Sequence, residues 1–257
     1  MTGSRVCAVI PAAGLGTRLG LGIPKITLEI ATGVTVWHLL YRRLRPWVER
    51  VHVVVSPTGE PLFRRLAADE MADGTVSVSV QPEPRGMGDA IFGSAHHWGA
   101  HDAALVVWGD QVNLSPATVS RVVDTHGRVA SADRPGITVP LVPMPEPYVE
   151  YEIAGDELVR VRISREGDEC RPGGLSDVGV FCLSTAGLLA AWARYLTDAV
   201  PGAATGEVNF LPFLPYLSTV RRWRTTAVPV TDPAEARGVN TRDDLEFARR
   251  AFLQCPD

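Results

Sequence analysis

The sequence predicts an α/β fold with a mixed, mainly parallel sheet flanked by helices and a later antiparallel portion. In the first half of the chain, short and continuously apolar runs alternate with stretches of helical periodicity. That alternation is typical of parallel strands covered by helices on both faces. In the second half, neighbouring strand-like runs follow one another closely, which favours antiparallel pairing. The length of 257 residues suits a single domain with a sizeable core.

The first half is expected to alternate strand and helix. Apolar runs predict strands over residues 6–10, 51–55, 76–80 and 104–108. Apolar residues at helical spacing predict helices over residues 36–48, 62–71 and 90–98. Because a helix lies between successive strands, these strands are expected to share one direction.

The second half is expected to combine antiparallel strands with two helices. Strands are predicted over residues 137–142, 149–153 and 158–163, with a turn at Gly155-Asp156 between the last two. A strand over residues 178–183, a helix over 186–199 and a short strand over 228–230 follow. A last helix is expected after Thr241, which can cap it, while Asp243 and Asp244 favour its positive end.

Composition and charge argue against several classes of protein. The formal net charge is −4 and no block of lysine and arginine is long enough to follow a phosphate backbone, so no nucleic-acid partner is expected. The first apolar run is too short to span a membrane and leads directly into a glycine-rich motif, so neither a membrane segment nor a signal peptide is expected. The four cysteines match no zinc or disulfide pattern, which predicts a cytoplasmic location with Cys7 and Cys182 in the core.

The strongest motif is the run PAAGLGTRLG at residues 11–20, which follows the first predicted strand and is followed by Pro24-Lys25. Glycines let a backbone approach phosphates closely and present N–H groups to them. Arg18 and Lys25 add positive charge. Leu19 replaces the third glycine of a dinucleotide-binding motif, and no Gly-Lys-Ser/Thr of a Walker A loop follows. We therefore predict a phosphate site of another kind, although a glycine-rich turn can also be purely structural.

Five further segments occur in an order that resembles one enzyme family. They are QPEPRGMGDA at 81–90, VWGD at 107–110, DVGV at 177–180, GE at 206–207 and GVN at 238–240. With AAGLGTR at 12–18 and Pro24-Lys25, they resemble the sugar-phosphate nucleotidyltransferases, especially the uridylyltransferase domain of bacterial N-acetylglucosamine-1-phosphate uridylyltransferase. The resemblance is colinear over nearly the whole chain. It implies a Rossmann-like fold of the nucleotide-diphospho-sugar transferase type.

The resemblance also implies an activity. The phosphate oxygen of a sugar 1-phosphate-like acceptor would attack the α-phosphorus of a nucleoside triphosphate, giving an NDP-sugar and pyrophosphate. Residues 1–130 would form the nucleotide-binding part, and residues 131–257 the acceptor-binding part and C-terminal helix, of one domain. The implied cofactor is Mg²⁺, and the implied nucleotide is UTP or dTTP.

Each matching residue receives an implied role. Arg18 and Lys25 would be catalytic, and Asp110 and Asn240 would offer the oxygen ligands that magnesium prefers. Gln81 and Gly86 would pair with the imide edge of a pyrimidine. The nucleotide would further contact Ala12, Ala13, Gly14, Gly16, Thr17, Met87 and Gly109. The acceptor would contact Asp177, Glu207 and Glu166.

Several positions depart from the family pattern. Met87 stands where the family has threonine, Asp89 where it has histidine, and Asp177 where it has asparagine. The family glutamate that contacts the sugar has no clean match, and Glu166 is its candidate. The triphosphate half is thus well matched and the acceptor half is altered. N-acetylglucosamine 1-phosphate is therefore not assigned as the acceptor, whose identity stays open, and Asp177 could face an amine or a hydroxyl instead of an amide.

Two other functions stay open. One is a cytidylyltransferase acting on an alcohol phosphate, such as an isoprenoid-pathway or choline-type substrate. The other is a catalytically silent nucleotide-binding or regulatory module. The segments GE and GVN favour the sugar branch, and the joint presence of Arg18, Lys25, Asp110 and Asn240 argues against a silent module. No hydrolase or zinc-protease motif is present.

The proposed site residues also have structural alternatives. Asp110 could be a turn residue or helix cap, Asn240 could cap the last helix, and Gln81 could end a strand at the surface. Lys25 could be an ordinary solvated lysine. The position of each side chain in the folded chain decides between these alternatives.

Overall fold

The computed structural model describes residues 4–14, 16, 20, 22–204 and 206–254. Its strands are β1 (Val6–Ala12), β2 (Glu29–Ala31), β3 (Val34–Thr35), β4 (Arg50–Val55), β5 (Val76–Val80), β6 (Ala103–Val107), β7 (Gly136–Pro143), β8 (Val149–Ala154), β9 (Glu157–Ile163), β10 (Leu175–Asp177), β11 (Val180–Ser184) and β12 (Arg224–Pro229). Its α-helices are α1 (Val36–Leu44), α2 (Glu60–Leu66), α3 (Ala68–Ala72), α4 (Met87–Gly93), α5 (Ala95–Trp98), α6 (Pro116–Val129), α7 (Leu188–Leu196), α8 (Phe213–Pro215) and α9 (Arg242–Gln254). Short 3₁₀ segments occupy Lys25–Thr27, Ser164–Glu166 and Pro233–Ala236, and a π-helical turn occupies Tyr216–Val220.

Ten of the described strands form one sheet in the order β5-β4-β1-β6-β11-β7-β10-β8-β9, with β12 beside β7. The parallel pairs are β1 with β4, β1 with β6, β4 with β5, and β7 with β12. In contrast, β11 is antiparallel to both of its neighbours, β6 and β7. β10 is antiparallel to β7 and β8, and β8 to β9. Seven of these strands therefore point one way, and β9, β10 and β11 point the other. The predicted mixed, mainly parallel sheet with an antiparallel portion is confirmed.

Helices cover both faces of the sheet, and each face has its own core. Alternate residues of β1 enter different cores: Ala8 and Ile10 face one, and Cys7 and Val9 face the other. α1, α6 and α9 contribute to the first core, whereas α4, α5 and α7 contribute to the second. All four β1 residues are 0% exposed, which explains why the strand is continuously apolar. The predicted burial of Cys7 is confirmed, as is that of Cys182.

Some predicted boundaries differ from the structure. The helix predicted over 62–71 is two helices, α2 and α3, because Ala67 between them leaves helical geometry at φ −107° and ψ 25°. The helix predicted over 90–98 begins earlier, at Met87, and is interrupted at Ser94. The strand predicted over 228–230 is the longer β12, which begins at Arg224. The sequence analysis did not predict α6, whose first turn holds Pro116 and whose cap is Ser115.

The C-terminal helix begins as predicted. The backbone N–H of Asp244 donates to Thr241 Oγ1 at 3.2 Å, and the N–H of Thr241 donates to Asp244 Oδ2 at 2.8 Å. This reciprocal pair is a capping box, which satisfies N–H groups at the start of the helix. The turn predicted at Gly155-Asp156 is also present, and Gly155 has φ +61° there. Within the described part of the chain, no helix is long and apolar enough to cross a bilayer.

Candidate active site

A cleft of about 520 Å³ lies where β1 and β6 end. Ligands of α/β proteins bind at this carboxyl edge of the sheet, because loops and helix starts meet there. Of the residues predicted to form a site, the cleft is lined by Ala12, Gly14, Gly16, Lys25, Met87, Gly109, Asp110, Asp177 and Asn240. The lining therefore combines predicted nucleotide, metal and acceptor residues in one space.

The glycine-rich segment leaves β1 at this edge. Ala12 is the last residue of β1, and Gly14 and Gly16 follow it along the cleft. Gly16 has φ +60°, and a Cβ there would lie 3.2 Å from the carbonyl oxygen of Ile23. A side chain would therefore be strained at position 16 and crowd the turn. Ala13 is buried beside the cleft and does not line it. The predicted residues Thr17 and Arg18 lie outside the described residues.

Lys25 connects the two side chains predicted to hold a metal. Its Nζ donates to Asp110 Oδ2 at 2.8 Å and to Asn240 Oδ1 at 2.7 Å. The side chains of Lys25 and Asp110 are only 21% and 20% exposed. Two oxygen ligands and a cation, distant from one another in sequence, thus converge within hydrogen-bond distance in the cleft.

Surrounding elements fix all three residues. Lys25 begins a 3₁₀ turn in which Thr27 donates its backbone N–H and its hydroxyl to the carbonyl of Pro24, at 3.0 and 2.8 Å. Asp110 follows β6, and its carbonyl accepts the N–H of Val239 at 2.9 Å. That bond brings the GVN segment against Asp110, so residues that are distant in sequence form one site.

Asp110 lies in a turn, as one structural alternative expects, but neither its side chain nor that of Asn240 caps a helix. The next helix, α6, is capped by Ser115, whose hydroxyl accepts the N–H of Thr118 at 3.1 Å. Thr241 caps α9, so the amide oxygen of Asn240 is directed to Lys25 instead. Neither side chain is used for capping, and both face the cleft.

The predicted base-binding segment is tightly hydrogen-bonded within itself. Gln81 is 7% exposed, and its Nε2 donates to the carbonyl of Gly86 at 3.1 Å and to Asp89 Oδ2 at 2.7 Å. Gln81 and Gly86 do not line the cleft, whereas Met87 does and is 38% exposed. Gly86 has φ +98°, and a Cβ there would lie 3.0 Å from Glu207 Oε2. Glu207 therefore packs against this segment and lies outside the cleft lining.

The predicted acceptor residues are placed differently from one another. Asp177 lines the cleft, and its Oδ1 accepts the N–H of Gly179 at 2.7 Å. Burial raises the pKa of Asp177, and the charge of Asp110 raises it further. Burial also raises the pKa of Tyr151 well above its ordinary value, with Asp177 as the next cause. Glu166 does not line the cleft: its carboxylate accepts the N–H of Ala204 at 2.8 Å.

The structure adds lining residues that the sequence analysis did not identify. They are Trp108, Met144, Glu146, Tyr148, Arg165, Ser176 and Leu211, among others. Most lie around the antiparallel portion, where no motif marks them. Arg165 lies two residues after the end of β9, a strand that runs opposite to β6, so the strand-end rule that identified Asp110 did not apply to it. Among the residues that the structure describes, no group of three or more histidine, cysteine, aspartate or glutamate side chains could hold a metal.

Comparisons with known proteins give the family. Residues 8–162 match the model of the MobA-like NTP transferase domain. The bifunctional protein GlmU of Cereibacter sphaeroides is 30% identical over 260 residues, which cover 98% of this chain and 53% of that protein. GlmU of Rubrobacter xylanophilus is 30% identical over 260 residues, covering 98% of this chain and 52% of that protein. The chain thus spans about half the length of the curated relatives it matches.

A solved structure confirms the fold. The chain resembles a Bacillus anthracis structure assigned as a glucose-1-phosphate thymidylyltransferase and solved in complex with a sucrose, with a TM-score of 0.75. The match covers 96% of this chain and 94% of that one at 14% identity. The fold is therefore the Rossmann-like fold of the nucleotide-diphospho-sugar transferases, and the predicted resemblance to sugar-phosphate nucleotidyltransferases is confirmed. This chain belongs to the family of MobA-like NTP transferase domains.

Proposed function

We propose that this chain transfers a nucleoside monophosphate from a nucleoside triphosphate to a sugar 1-phosphate-like acceptor and releases pyrophosphate. The observation that carries the proposal is the convergence of Lys25, Asp110 and Asn240 in the cleft beside the glycine-rich segment. Nucleotidyl transfer requires backbone N–H groups that can approach the phosphates, a cation, and oxygen ligands for a metal. All of these groups are found here. The relatives named GlmU and the thymidylyltransferase-like structure support the same reaction class.

The transfer needs no covalent intermediate on the protein. A phosphate oxygen of the acceptor forms a bond to the α-phosphorus as the bond from the α-phosphorus to the pyrophosphate oxygen breaks. The negative charge shifts onto the leaving pyrophosphate. The protein's contribution is therefore to hold the two phosphate groups in line and to neutralise charge. Backbone N–H groups near Gly14 and Gly16 would hold the triphosphate, together with Arg18. The Lys25 ammonium would leave Asp110 and Asn240 and contact the α-phosphate region instead.

The residues present fit a magnesium ion. Asp110 Oδ2 and Asn240 Oδ1 already contact one cationic group, at 2.8 and 2.7 Å, so they can face a metal in the same place. Mg²⁺ takes hard oxygen ligands and is commonly held by one or two protein side chains together with substrate phosphates. Bound there, it would supply positive charge to the phosphate oxygens. We propose that Asp110 and Asn240 are its protein ligands.

We propose UTP or dTTP as the nucleotide. Gln81 and Gly86 would bind the base edge, which requires the Gln81 amide to exchange its present bonds to Gly86 and Asp89. Met87 already lines the cleft next to this segment and would pack against the base. The described cysteines Cys7, Cys170 and Cys182 are free thiols, which supports the proposed cytoplasmic location.

Pyrophosphate release measured over a matrix of nucleotides and acceptors tests the proposal. The matrix pairs UTP, dTTP, CTP, ATP and GTP with glucose 1-phosphate, N-acetylglucosamine 1-phosphate, other hexose 1-phosphates and phosphocholine. We expect turnover that needs both substrates and Mg²⁺ and is highest with UTP or dTTP. If turnover is highest with CTP and phosphocholine, the protein is a cytidylyltransferase for an alcohol phosphate and the sugar 1-phosphate assignment is wrong. A preference for GTP or ATP would overturn the assignment of a pyrimidine.

A further inference from the structure

Gln111, the residue after Asp110, is enclosed in the wall of the active-site cleft. It follows β6, lines the cleft and is 3% exposed. A side-chain amide has two N–H donors and a carbonyl oxygen that accepts hydrogen bonds. Leaving one of these groups without a partner, away from water, destabilises the folded state. The contacts of the Gln111 amide therefore show which of its groups the chain itself satisfies.

The amide nitrogen of Gln111 is fully used. It donates to the carbonyl of Val178 at 2.6 Å and to the carbonyl of Glu235 at 3.2 Å. Val178 lies between β10 and β11, and Glu235 lies in the 3₁₀ segment that precedes Asn240. Two carbonyl partners fix the orientation of the amide, because only its nitrogen end can donate. Gln111 thus connects the end of β6 with two other segments that border the cleft.

The amide oxygen of Gln111 lacks a hydrogen-bond partner. It is buried, and no donor among the described residues reaches it. Four other buried side-chain atoms in the described part of the chain also lack such a partner, and they belong to Trp37, Tyr151, Arg162 and Thr226. None of those four residues lines the cleft. Because buried acceptors are nearly always paired, the Gln111 oxygen indicates a donor that a ligand supplies.

That oxygen lies beside the carboxylate of Asp110. A Cβ on Gly238 would lie 3.0 Å from Asp110 Oδ1 and 3.3 Å from Gln111 Oε1. The glycine therefore leaves the space next to both oxygens free of a side chain. Lys25 contacts the other carboxylate oxygen, Oδ2. Two acceptor oxygens of successive residues thus lie next to one glycine of the cleft lining.

The ligand that pairs with Gln111 Oε1 must carry a hydrogen-bond donor. An ionised phosphate only accepts hydrogen bonds, so the phosphates of the nucleotide do not satisfy this oxygen. A metal-bound water is a strong donor, since the ion acidifies it. Mg²⁺ keeps several of its waters when a protein binds it. A hydroxyl of the acceptor is the alternative O–H donor, and it would reach Gln111 only in the acceptor complex.

Resting on the proposed function, we infer that Gln111 is a positioning residue of the magnesium site. Its amide oxygen accepts a hydrogen bond from a water molecule held by the ion, while its amide nitrogen fixes the side chain between two segments of the cleft wall. Groups that surround a metal site in this way orient the ligands of the ion. The unpartnered oxygen would thus gain its partner when the ion binds.

Electron paramagnetic resonance of free Mn²⁺ tests this role without any turnover. Gln111→Met, which keeps the length of the side chain and removes its polar groups, should weaken Mn²⁺ binding by about 10- to 100-fold. Gln111→Glu loses the N–H donors but keeps an acceptor oxygen, so it should bind Mn²⁺ at least as tightly as wild type. The comparison is repeated in the Lys25→Met background, because the Lys25 ammonium contacts the same Asp110 carboxylate.

Asn113→Leu is the matched control. The amide nitrogen of Asn113 donates to the carbonyl of Arg237 at 2.7 Å, so it also ties the loop after β6 to the segment before Asn240. Asn113 does not line the cleft, and its variant should leave Mn²⁺ affinity unchanged. Circular dichroism checks that each variant is folded. In wild type, the carboxamide carbon of Gln111 should shift in carbon-13 NMR spectra when Mg²⁺ is added, a readout that needs no variant.

Each failure has its own signature. A folded Gln111→Met that binds Mn²⁺ like wild type, or an equal loss in Gln111→Met and Gln111→Glu, would overturn the role of Gln111. Unchanged Mn²⁺ binding with a raised acceptor KM would do so too, and would assign the oxygen to an acceptor hydroxyl. A wild type that transfers nucleotide without binding Mn²⁺ would overturn this role and leave the reaction standing. Gln111-dependent Mn²⁺ binding in a chain that transfers no nucleotide would overturn the proposed reaction alone.

Discussion

The ammonium nitrogen of Lys25 lies 2.8 Å from Oδ2 of Asp110, the carboxylate oxygen that we propose as a magnesium ligand. The same nitrogen lies 2.7 Å from Oδ1 of Asn240. An ammonium group and a metal ion cannot occupy one position between these two oxygens. If a metal binds there as proposed, Lys25 has to leave these oxygens, and its charge would then be available to the phosphates. Under that proposal, metal binding and the placement of Lys25 are coupled.

The first prediction follows from that coupling. Without nucleotide, wild type should bind Mn²⁺ weakly, because the metal must displace a paired ammonium. Removing the ammonium in Lys25→Met should tighten Mn²⁺ binding, by about tenfold if the lost pair is worth about 1.4 kcal/mol. Electron paramagnetic resonance of free Mn²⁺ measures this without any turnover. Lys25→Met binding Mn²⁺ no more tightly than wild type would contradict the competition, and the double variant Lys25→Met, Asp110→Asn should lose the gain.

The second prediction concerns Lys25 in catalysis. Charge on the phosphates shifts as pyrophosphate leaves, so a cation near the α-phosphorus acts more on the transition state than on the bound triphosphate. Lys25→Ala should lower kcat by about 10²- to 10³-fold, as expected for removing one well-placed charge donor. The nucleotide KM should change much less. Arginine should restore little activity, because a planar fork does not replace a compact ammonium. Turnover of Lys25→Ala within about twofold of wild type would remove Lys25 from the mechanism.

The third prediction concerns Asp110. Asp110→Asn keeps the size of the side chain while removing its charge, so the fold should persist and most turnover should be lost. Its Mg²⁺ requirement should shift to higher concentration, since a carboxylate is a stronger magnesium ligand than an amide. Circular dichroism and a magnesium titration of turnover check both points. Full activity in this variant, or undiminished wild-type activity in excess chelator, would be incompatible with the metal assignment.

The fourth prediction concerns stability at acidic pH. His52 is 0% exposed, and its ring nitrogens lie 2.8 and 2.9 Å from the hydroxyls of Ser77 and Ser79. Burial, followed by the charges of His97 and His96, lowers the pKa of His52 to about 3. The ring of His97 stacks on that of His52, with centroids 3.9 Å apart. The unfolded chain therefore takes up a proton near pH 6.5, while the folded chain resists it down to about pH 3.

The contribution of His52 to the free energy of unfolding is therefore fully present above pH 6.5, and it falls as the pH decreases below that value. Between pH 6 and 5, His52 should remove about 1 kcal/mol of unfolding free energy per pH unit. Burial lowers the pKa of His126 to about 4, so it should add a similar slope in this range. Urea unfolding at pH 7, 6 and 5 measures the slope, which should be smaller in His52→Gln. An identical slope in the variant would contradict this account of His52.

The parallel half of the fold and the nucleotide end of the site could be predicted because local patterns determine them. Continuous apolar runs identify strands that are buried on both faces, and a glycine run after a strand marks a phosphate site. The contact between Lys25 and Asn240 joins residues 215 positions apart. The order of the family segments suggested that both residues belong to one site, and did not predict this contact. The capping of α9 by Thr241 then showed why the Asn240 side chain is free to face the cleft.

The acceptor end was harder to predict, because neighbouring residues in a short turn point in different directions. Glu166 was the candidate for the family glutamate because of its residue type, yet Glu166 holds a loop, whereas its neighbour Arg165 lines the cleft. Sequence spacing cannot distinguish the two residues unless it is known which side of the turn packs against the protein.

Helix α6 was missed for a related reason. Its amphipathic pattern is interrupted by polar residues, and the Ser115-Pro116 signal at its start is short.

Label tracing tests the central claim, nucleotidyl transfer, most directly. The enzyme is incubated with Mg²⁺, its preferred sugar 1-phosphate, and UTP or dTTP labelled with radioactive phosphorus at either the α or the γ position. We predict that α-label appears in an NDP-sugar, that γ-label appears in pyrophosphate, and that neither product forms without the acceptor. Asp110→Asn and Lys25→Ala should slow both together. Release of γ-label as inorganic phosphate, or nucleotide binding with no label transferred to any acceptor, would contradict the claim.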